Sequence, residues 1–325
     1  MTQSQIASRN QYSRDKLKEL RGRIDAEILV LKHCPNLCVY ATGSFARLDA
    51  GKHSDLDLFF VSTPGGPAIT RIQQTLINAD LIRLCERMGL AEFSGDGQYL
   101  QIHTLQSLVQ EVGSQREDYD NIFTTRLLLL LESTALYNPD VYDEVVSACV
   151  HAYYRDYPDH TENFRPVFLA NDISRFWKTL CLNYEHKRNR RDKGEEAKRK
   201  SHLKNFKLKF SRLLTCFSMV ACLCDPTMAD HPDKAILLVK QSPLSRLDTL
   251  AEKHGLDTLW GKMRDLYDWF LETNDRPTPQ AEEWIAAKEV RRDVFFKAEQ
   301  FGDMMHELLG LVAQKAGSSL RYLVI

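Results

Sequence analysis

The sequence predicts an α+β fold in which a small mixed sheet comes first and an all-helical region follows. Residues 36–42 and 55–61 are apolar and rich in β-branched and aromatic residues, which is typical of buried strands. After residue 157 the chain shows only amphipathic helical patterns until its last few residues. We therefore predict two domains, residues 1–157 with the sheet and residues 158–325 with helices.

The other elements of the first domain follow from helical periodicity and turn residues. Apolar residues recur at helical spacing over residues 68–88, and a third strand is expected over residues 98–103. The Asn138-Pro139 step separates two later helices. Besides the helix over residues 68–88, we predict helices over residues 13–31, 118–133 and 139–154.

A polar motif lies between the first two predicted strands. Gly43 breaks the first strand, and Ser44 stands where a short helix would begin. A serine hydroxyl and the free N–H groups of a helix start together suit phosphate binding. Asp55 and Asp57 open the second strand and, being two residues apart, share one face of it. Two carboxylates on one face suit Mg²⁺ or Mn²⁺, completed by substrate phosphates and water.

The fuller pattern is Gly43-Ser44-x-x-Arg47 followed by Ser54-Asp55-x-Asp57-Leu58. It resembles the signature of the DNA polymerase β-type nucleotidyltransferase superfamily, and most of all the branch with the PII-protein uridylyltransferases and their bacterial relatives. The resemblance is tight over residues 36–62 and extends to about residue 155. It implies a polymerase β-like palm followed by a helical partner domain.

The same resemblance implies a reaction. A nucleoside monophosphate, ribo or deoxy, would pass from a nucleoside triphosphate to a hydroxyl acceptor, with release of pyrophosphate. Asp55 and Asp57 would hold the metal ions, Gly43 and Ser44 would cradle the phosphates, and Arg47 would neutralise charge.

The superfamily usually places a third carboxylate on the next strand, and this sequence departs from that pattern. Gln101 and His103 occupy the expected positions, while Glu92 and Asp96 precede the strand. The uridylyltransferase branch also lacks a clear acid there. Without a third acid, the acceptor hydroxyl would lose its proton to metal-bound hydroxide, to His103 or to the substrate.

A helix predicted near residues 164–187 carries polar residues on an otherwise core-like pattern. Arg175 and Lys178 share one stripe with Asn171, and Asp172 lies beside it. We interpret Asp172, Arg175 and Lys178 as nucleotide contacts, although Asp172 and Arg175 equally fit a surface salt bridge. Arg126, alone in an apolar helix, is a further candidate of this kind.

A basic run extends from Lys187 to Arg212. Its density of positive charge suits phosphate contacts to a triphosphate or to a nucleic-acid backbone. Within the run, Lys200 and Lys204 are the candidates for nucleotide binding, whereas Phe206 and Phe210 are expected to belong to the core.

The acceptor stays open at the level of sequence. By resemblance it is a protein side chain; a nucleotide 3′-hydroxyl is the alternative, in template-independent elongation or in nucleotide-signal synthesis of the anti-phage type. The C-terminal hydroxyl residues Tyr322, Ser318 and Ser319 could make the protein its own acceptor. A catalytically silent fold that senses nucleotides, or an antitoxin-like binding partner, is the non-enzymatic alternative.

Composition agrees with a cytoplasmic enzyme. The formal net charge of the 325-residue chain is −1, so any nucleic-acid contact must come from local patches. No apolar run approaches the roughly 18 residues of a membrane span, and we expect no membrane partner. The eight cysteines lack zinc-site spacing and mostly lie in apolar runs, which indicates reduced core thiols.

Overall fold

The computed structural model of the chain describes residues 4–91, 100–189, 194–317 and 320. It confirms an α+β fold with a small mixed sheet and many helices. The chain forms two compact units. The first contains Ala7–His160 and His231–Ser242; the second contains Thr161–Asp230, the chain from Pro243 onward and a few residues at the N-terminus.

The sheet of the first unit has four strands in the order β3-β2-β1-β4. Strand β1 pairs antiparallel with both β2 and β4, and β2 pairs parallel with β3. The β1–β2 register places Thr42 opposite Asp57, so the end of the first strand meets the start of the second. The strands are β1 Leu37–Thr42, β2 Asp57–Ser62, β3 Ile102–Thr104 and β4 Thr134–Tyr137.

Helices cover both faces of this sheet. They are α1 Gln5–Glu27, α2 Gly43–Arg47, α3 Arg71–Arg87, α4 Leu105–Gln110, α5 Ile122–Leu131 and α6 Pro139–Tyr153. On one face, Leu20 of α1 and Leu81 of α3 join a fully buried cluster with Val39 and Phe60 of the sheet. On the other face, Tyr40 stacks on Phe59 and meets a tyrosine of α6.

The second unit is helical, as the sequence predicted for this part of the chain. Its core includes the stacked rings of Phe210 and Phe270, with Phe206 edge-on to both, which confirms the prediction that Phe206 and Phe210 are core residues. Its helices are α7 Val167–Arg188, α8 Glu195–Lys207, α9 Leu213–Cys224, α10 Pro226–Ala229, α12 Pro243–His254, α13 Asp257–Thr273, α14 Thr278–Ala286 and α15 Lys288–Lys315. The intervening helix, α11 Pro232–Val239, belongs to the first unit.

Three element predictions need correction. The third strand spans Ile102–Thr104, whereas it was predicted over residues 98–103. The first helix begins at Gln5 and ends at Glu27, earlier at both ends than expected, and a 3₁₀ turn follows over Leu29–His33. Strand β4 lies in a segment that the sequence assigned to a connection between helices. Four residues are too few to show a strand period, and only pairing with β1 makes this segment a strand.

Candidate functional site

The turn after β1 depends on a glycine that has no room for a side chain. Gly43 has φ +68°, in the left-handed region that favours glycine. A Cβ built on Gly43 would stand 2.5 Å from Oδ2 of Asp57. The missing side chain therefore lets the Asp57 carboxylate lie directly against the backbone of the turn.

Ser44 lies in the first turn of the short helix α2 and is partly exposed. The backbone preceding the helix, at Thr42, is extended, and its side chain makes no capping hydrogen bond within the part of the chain described. The helix ends after one turn, at Leu48, whose φ of 64° is unusual for a residue with a side chain. The Ser44 hydroxyl thus sits beside a helix start that no cap side chain closes.

The two aspartates lie at the start of the second strand, which begins later than the sequence predicted. Asp57 is the first residue of β2, whereas Asp55 precedes the strand and forms an isolated bridge with Ala91. Both aspartates are partly exposed, and Leu56 between them is 1% exposed and belongs to the core. Ser54 braces the preceding turn, because its Oγ accepts a hydrogen bond from the Gly51 N–H at 2.9 Å.

A buried ion network holds the segment between the turn of Gly43 and Ser44 and the two aspartates. The Arg47 guanidinium donates to Asp49 at 3.0 Å and to Glu132, just after α5, at 2.8 Å. From α1, Arg9 donates to the Asp49 carbonyl at 3.1 Å, and Ser13 accepts from the Ala50 N–H at the same distance. We call Arg47, Asp49 and Glu132 the buried latch.

The latch corrects the predicted role of Arg47. Its side chain is 9% exposed and engages two carboxylates, so its charge is neutralised inside the protein. An arginine in that position fixes the turn rather than reaching a bound phosphate. The sequence contained a signal for this network: Arg9 and Ser13 continue the buried stripe of Leu17, Leu20 and Ile24 along α1, where polar residues need buried partners.

His103 and Gln101 do not take the place of a third acid. His103 pairs with Val61, four residues beyond Asp57, which is about 13 Å along the strand. Its Nε2 lies 3.2 Å from the hydroxyl of Thr125, and burial lowers the pKa of the imidazole. Gln101 is exposed just before β3. His103 is therefore a buried core histidine, and its placement does not support a role in deprotonating an acceptor.

Arg126 is also a structural residue. It is fully buried and forms an ion pair with Glu117, a hydrogen bond to the hydroxyl of Tyr153 at 2.9 Å and another to the Leu108 carbonyl at 3.2 Å. These partners surround its guanidinium, so a role in nucleotide binding is not supported. A charged residue inside an apolar helix was here a sign of a buried ion pair.

The predicted nucleotide contacts of α7 lie in the second unit. Nε of Arg175 is 3.5 Å from Oδ1 of Asp172, the i,i+3 pair that the sequence offered as its alternative interpretation. Lys178 is exposed one turn further along the helix. A half-exposed pair of this kind contributes little to stability and can open at small cost.

Lys200 and Lys204 lie on the outer surface of α8. The Lys200 ammonium is 2.6 Å from Glu196, whose hydrogen bond and charge raise the pKa of the lysine. Lys204 is likewise exposed. Five further residues weighed in the sequence lie outside the described residues, namely Glu92, Asp96, Ser318, Ser319 and Tyr322.

The donor set fits a divalent cation that shares its coordination with a ligand. Over the described ranges, no group of three or more His, Cys, Asp or Glu side chains could hold a metal ion. Asp55 and Asp57 thus offer two carboxylates and leave most positions to other oxygens. Mg²⁺ is usually bound in this manner, through one or two carboxylates plus substrate phosphates and water.

Comparisons with known proteins do not place the chain in a family. No family model matches it, and neither a curated protein nor a solved structure does. In the part of the chain that the structure describes, no helix has both the length and the apolar character needed to cross a membrane.

Proposed function

We propose that this protein is a metal-dependent nucleotidyltransferase with a polymerase β-like palm. It would transfer a nucleoside monophosphate, ribo or deoxy, from the triphosphate to a hydroxyl acceptor and release pyrophosphate. One observation carries this proposal: the Asp57 carboxylate lies against the turn of Gly43, which only glycine permits. That contact joins the phosphate-binding type of turn to the carboxylate pair.

Each residue of the site has a proposed role. The backbone of Gly43 and the hydroxyl of Ser44 bind the β- and γ-phosphates, at a turn whose N–H groups favour anions. Asp55 and Asp57 hold Mg²⁺ or Mn²⁺ together with phosphate oxygens. The bound metal would supply charge stabilisation to the attacking and leaving oxygens. Asp57, against Gly43, keeps the carboxylates and the phosphate turn in fixed relation.

The helical unit supplies the remaining proposed nucleotide contacts. Asp172, Arg175 and Lys178 on α7 and Lys200 and Lys204 on α8 are charged side chains at least partly open to solvent. The Lys200–Glu196 pair is exposed and the Arg175–Asp172 pair is half-exposed, and an incoming phosphate can replace pairs of this kind. Arg47 leaves this group because its charge is used in the buried latch.

The acceptor is a hydroxyl of a protein or of a nucleotide. The protein acceptor includes the chain's own Tyr322, Ser318 and Ser319, and the nucleotide acceptor includes a 3′-hydroxyl in oligonucleotide or signal synthesis. A second function has one observation in its favour, since the described residues provide only two carboxylates at the site. In that case the fold binds a nucleotide as a sensor, or acts as an antitoxin-like partner, without transferring it.

One incubation separates these possibilities. The protein is mixed with Mg²⁺ and each radiolabelled NTP and dNTP in turn, and the products are resolved by gel and by chromatography. Transfer is supported by label on the protein, by a ladder of oligonucleotides or by a discrete small product, each of which identifies the acceptor class. Absence of any product would contradict transfer and favour the silent fold, as a sensor if the nucleotide binds and as an antitoxin-like partner if it does not.

A further inference from the structure

Two arginines and a histidine from three helices lie in the same part of the second unit. Arg188 ends α7, His202 lies on α8, and Arg291 lies in the first turn of α15. Burial lowers the pKa of His202, and the positive charges of Arg291 and Arg188 lower it further, so the ring is held towards its neutral form. The ring is also edge-on to Phe295, at 6.5 Å between centroids.

The same end of α15 borders a groove of about 620 Å³. Lys288, Arg291 and Arg292 line it together with Phe295 and Phe296, and Glu289 and Glu299 are its acidic members. Most of these residues recur at i,i+3 and i,i+4 spacing, so they share one face of the helix. Phe296 is 59% exposed, which is high for so large an apolar side chain.

The groove carries three basic and two acidic side chains, so its net charge favours a negative ligand. Arg291 is held in place by a hydrogen bond from its Nη1 to the Ala286 carbonyl, a neutral acceptor that does not compensate the positive charge. Arg188 pairs with Glu185 only at the exposed surface, where such a pair is weak. Gathering like charges costs free energy in the unbound protein, and a polyanion would relieve that cost.

The aromatic rings make a nucleic-acid strand the polyanion that fits best. An exposed ring between cations gives bases a surface on which to stack, and this combination is the usual one in single-strand binding sites. From Lys288 to Glu299 the helix rises by about 16 Å, which matches about five stacked nucleotides at ~3.4 Å each. Nearly twice as many Lys and Arg as Asp and Glu occur over residues 161–230, which adds long-range attraction.

We propose that the groove along the first three turns of α15, with Arg188 and His202 beside it, binds single-stranded nucleic acid. If the proposed function holds, this strand is the acceptor whose 3′-hydroxyl receives the nucleotide. The phosphates contact Arg291, Arg292 and Lys288, and a base stacks on Phe296.

The test measures fluorescence anisotropy of labelled oligo(dT) and oligo(U) across a salt series with the full-length protein. We expect Arg291→Glu/Arg292→Glu to weaken binding about tenfold or more and to reduce the salt slope by about 0.7 per lost phosphate contact. Phe296→Ala should weaken binding about tenfold without changing the slope, because stacking carries no charge. Thermal melting checks that these surface variants stay folded.

The matched control is Lys262→Glu/Arg264→Glu on α13, which changes the charge of the same unit by the same amount outside the groove. It should leave the affinity within about twofold. Asp55→Asn/Asp57→Asn should bind oligonucleotides like the wild type, so that loss of transfer and loss of strand binding are distinguishable. The proposal is overturned if the wild type binds neither oligonucleotide, or if the control weakens binding as much as the groove variant. Displacement by poly-glutamate with no effect of Phe296→Ala would instead indicate a general polyanion surface.

Discussion

At the scale of single residues, the site depends on one missing side chain. Gly43 has a left-handed backbone, and its lack of a Cβ leaves the space that Oδ2 of Asp57 occupies. The sequence predicted the glycine, the serine and both aspartates as a unit, since strand periodicity and spacing require only local information. It did not predict the contact between Gly43 and Asp57, which follows from the pairing of β1 with β2.

We expect Gly43→Ala to reduce nucleotidyl transfer about 100-fold, because displacing a catalytic group by about 1 Å has effects of this size. The added methyl group must push away the Asp57 carboxylate. Stability should fall by only about 1–2 kcal/mol, the cost of a left-handed alanine. Initial rates and denaturant unfolding measure the two effects.

Gly89→Ala is the matched control for this change. Gly89 has φ +65°, close to that of Gly43, and a Cβ there would meet nothing within 4 Å. It should therefore lose a similar amount of stability and keep full activity. An equal loss of activity in both variants would show that backbone strain, and not the contact with Asp57, explains the requirement for glycine.

Ser44→Ala separates binding from chemistry. The hydroxyl contacts phosphates in the ground state and in the transition state alike, so its loss removes uniform binding. KM for the nucleoside triphosphate should rise about tenfold, as for a lost hydrogen bond to a charged group, while kcat changes little. Steady-state kinetics over a range of nucleotide concentrations check this, and a fall in kcat at unchanged KM would contradict the role of Ser44 in phosphate binding.

At the scale of elements, the buried latch connects the phosphate turn to the end of α5. Removing a buried arginine that two carboxylates share destabilises the protein, because the acids stay buried without a compensating positive charge. We expect Arg47→Met to lower the free energy of unfolding by about 3–5 kcal/mol. Glu132→Met should cost less, since Arg47 would keep Asp49 as a partner. Urea unfolding of both single variants and the double variant gives the coupling energy of the pair.

The control for the latch is the exposed pair of Arg23 and Glu27 on α1, whose Nε and Oε1 atoms are 2.8 Å apart. Arg23→Met should change stability by less than about 1 kcal/mol. If Glu132→Met stays folded at the assay temperature, its KM for nucleotide should rise, because the turn carrying Ser44 is no longer held. Unchanged stability and unchanged KM in Glu132→Met would contradict the latch.

Elements were predictable where their signal is local. Strands β1 and β2 and the helix α3 have strong patterns, and each lies within a few residues of its expected place. Strand β4 was missed, because Thr134–Tyr137 becomes a strand only through its partner β1. The placement of His103 was wrong for a related reason: its distance from Asp57 depends on the β2–β3 register, which a single sequence does not reveal.

At the scale of the whole molecule, the two units have different proposed roles. The first contains Gly43, Ser44, Asp55 and Asp57, which are proposed to bind the metal and the phosphates, and the second contains the groove with basic side chains. The near-zero net charge of the chain concealed this division, since an average over all residues says nothing about their distribution. That the second unit is helical was predictable from periodicity. That Arg291 lies near Arg188 and His202 was not, because α15 comes much later in the chain than α7 and α8.

The central claim is that Gly43, Ser44, Asp55 and Asp57 form one site for a metal-bound nucleotide. Calorimetric titration with a nucleoside triphosphate that carries a methylene bridge between its α- and β-phosphates tests it without turnover. We predict binding by the wild type that requires Mg²⁺ and disappears with EDTA. Asp55→Asn/Asp57→Asn should lose this binding while melting at the wild-type temperature. Equal binding with and without Mg²⁺, or full binding by the folded double variant, would contradict the claim.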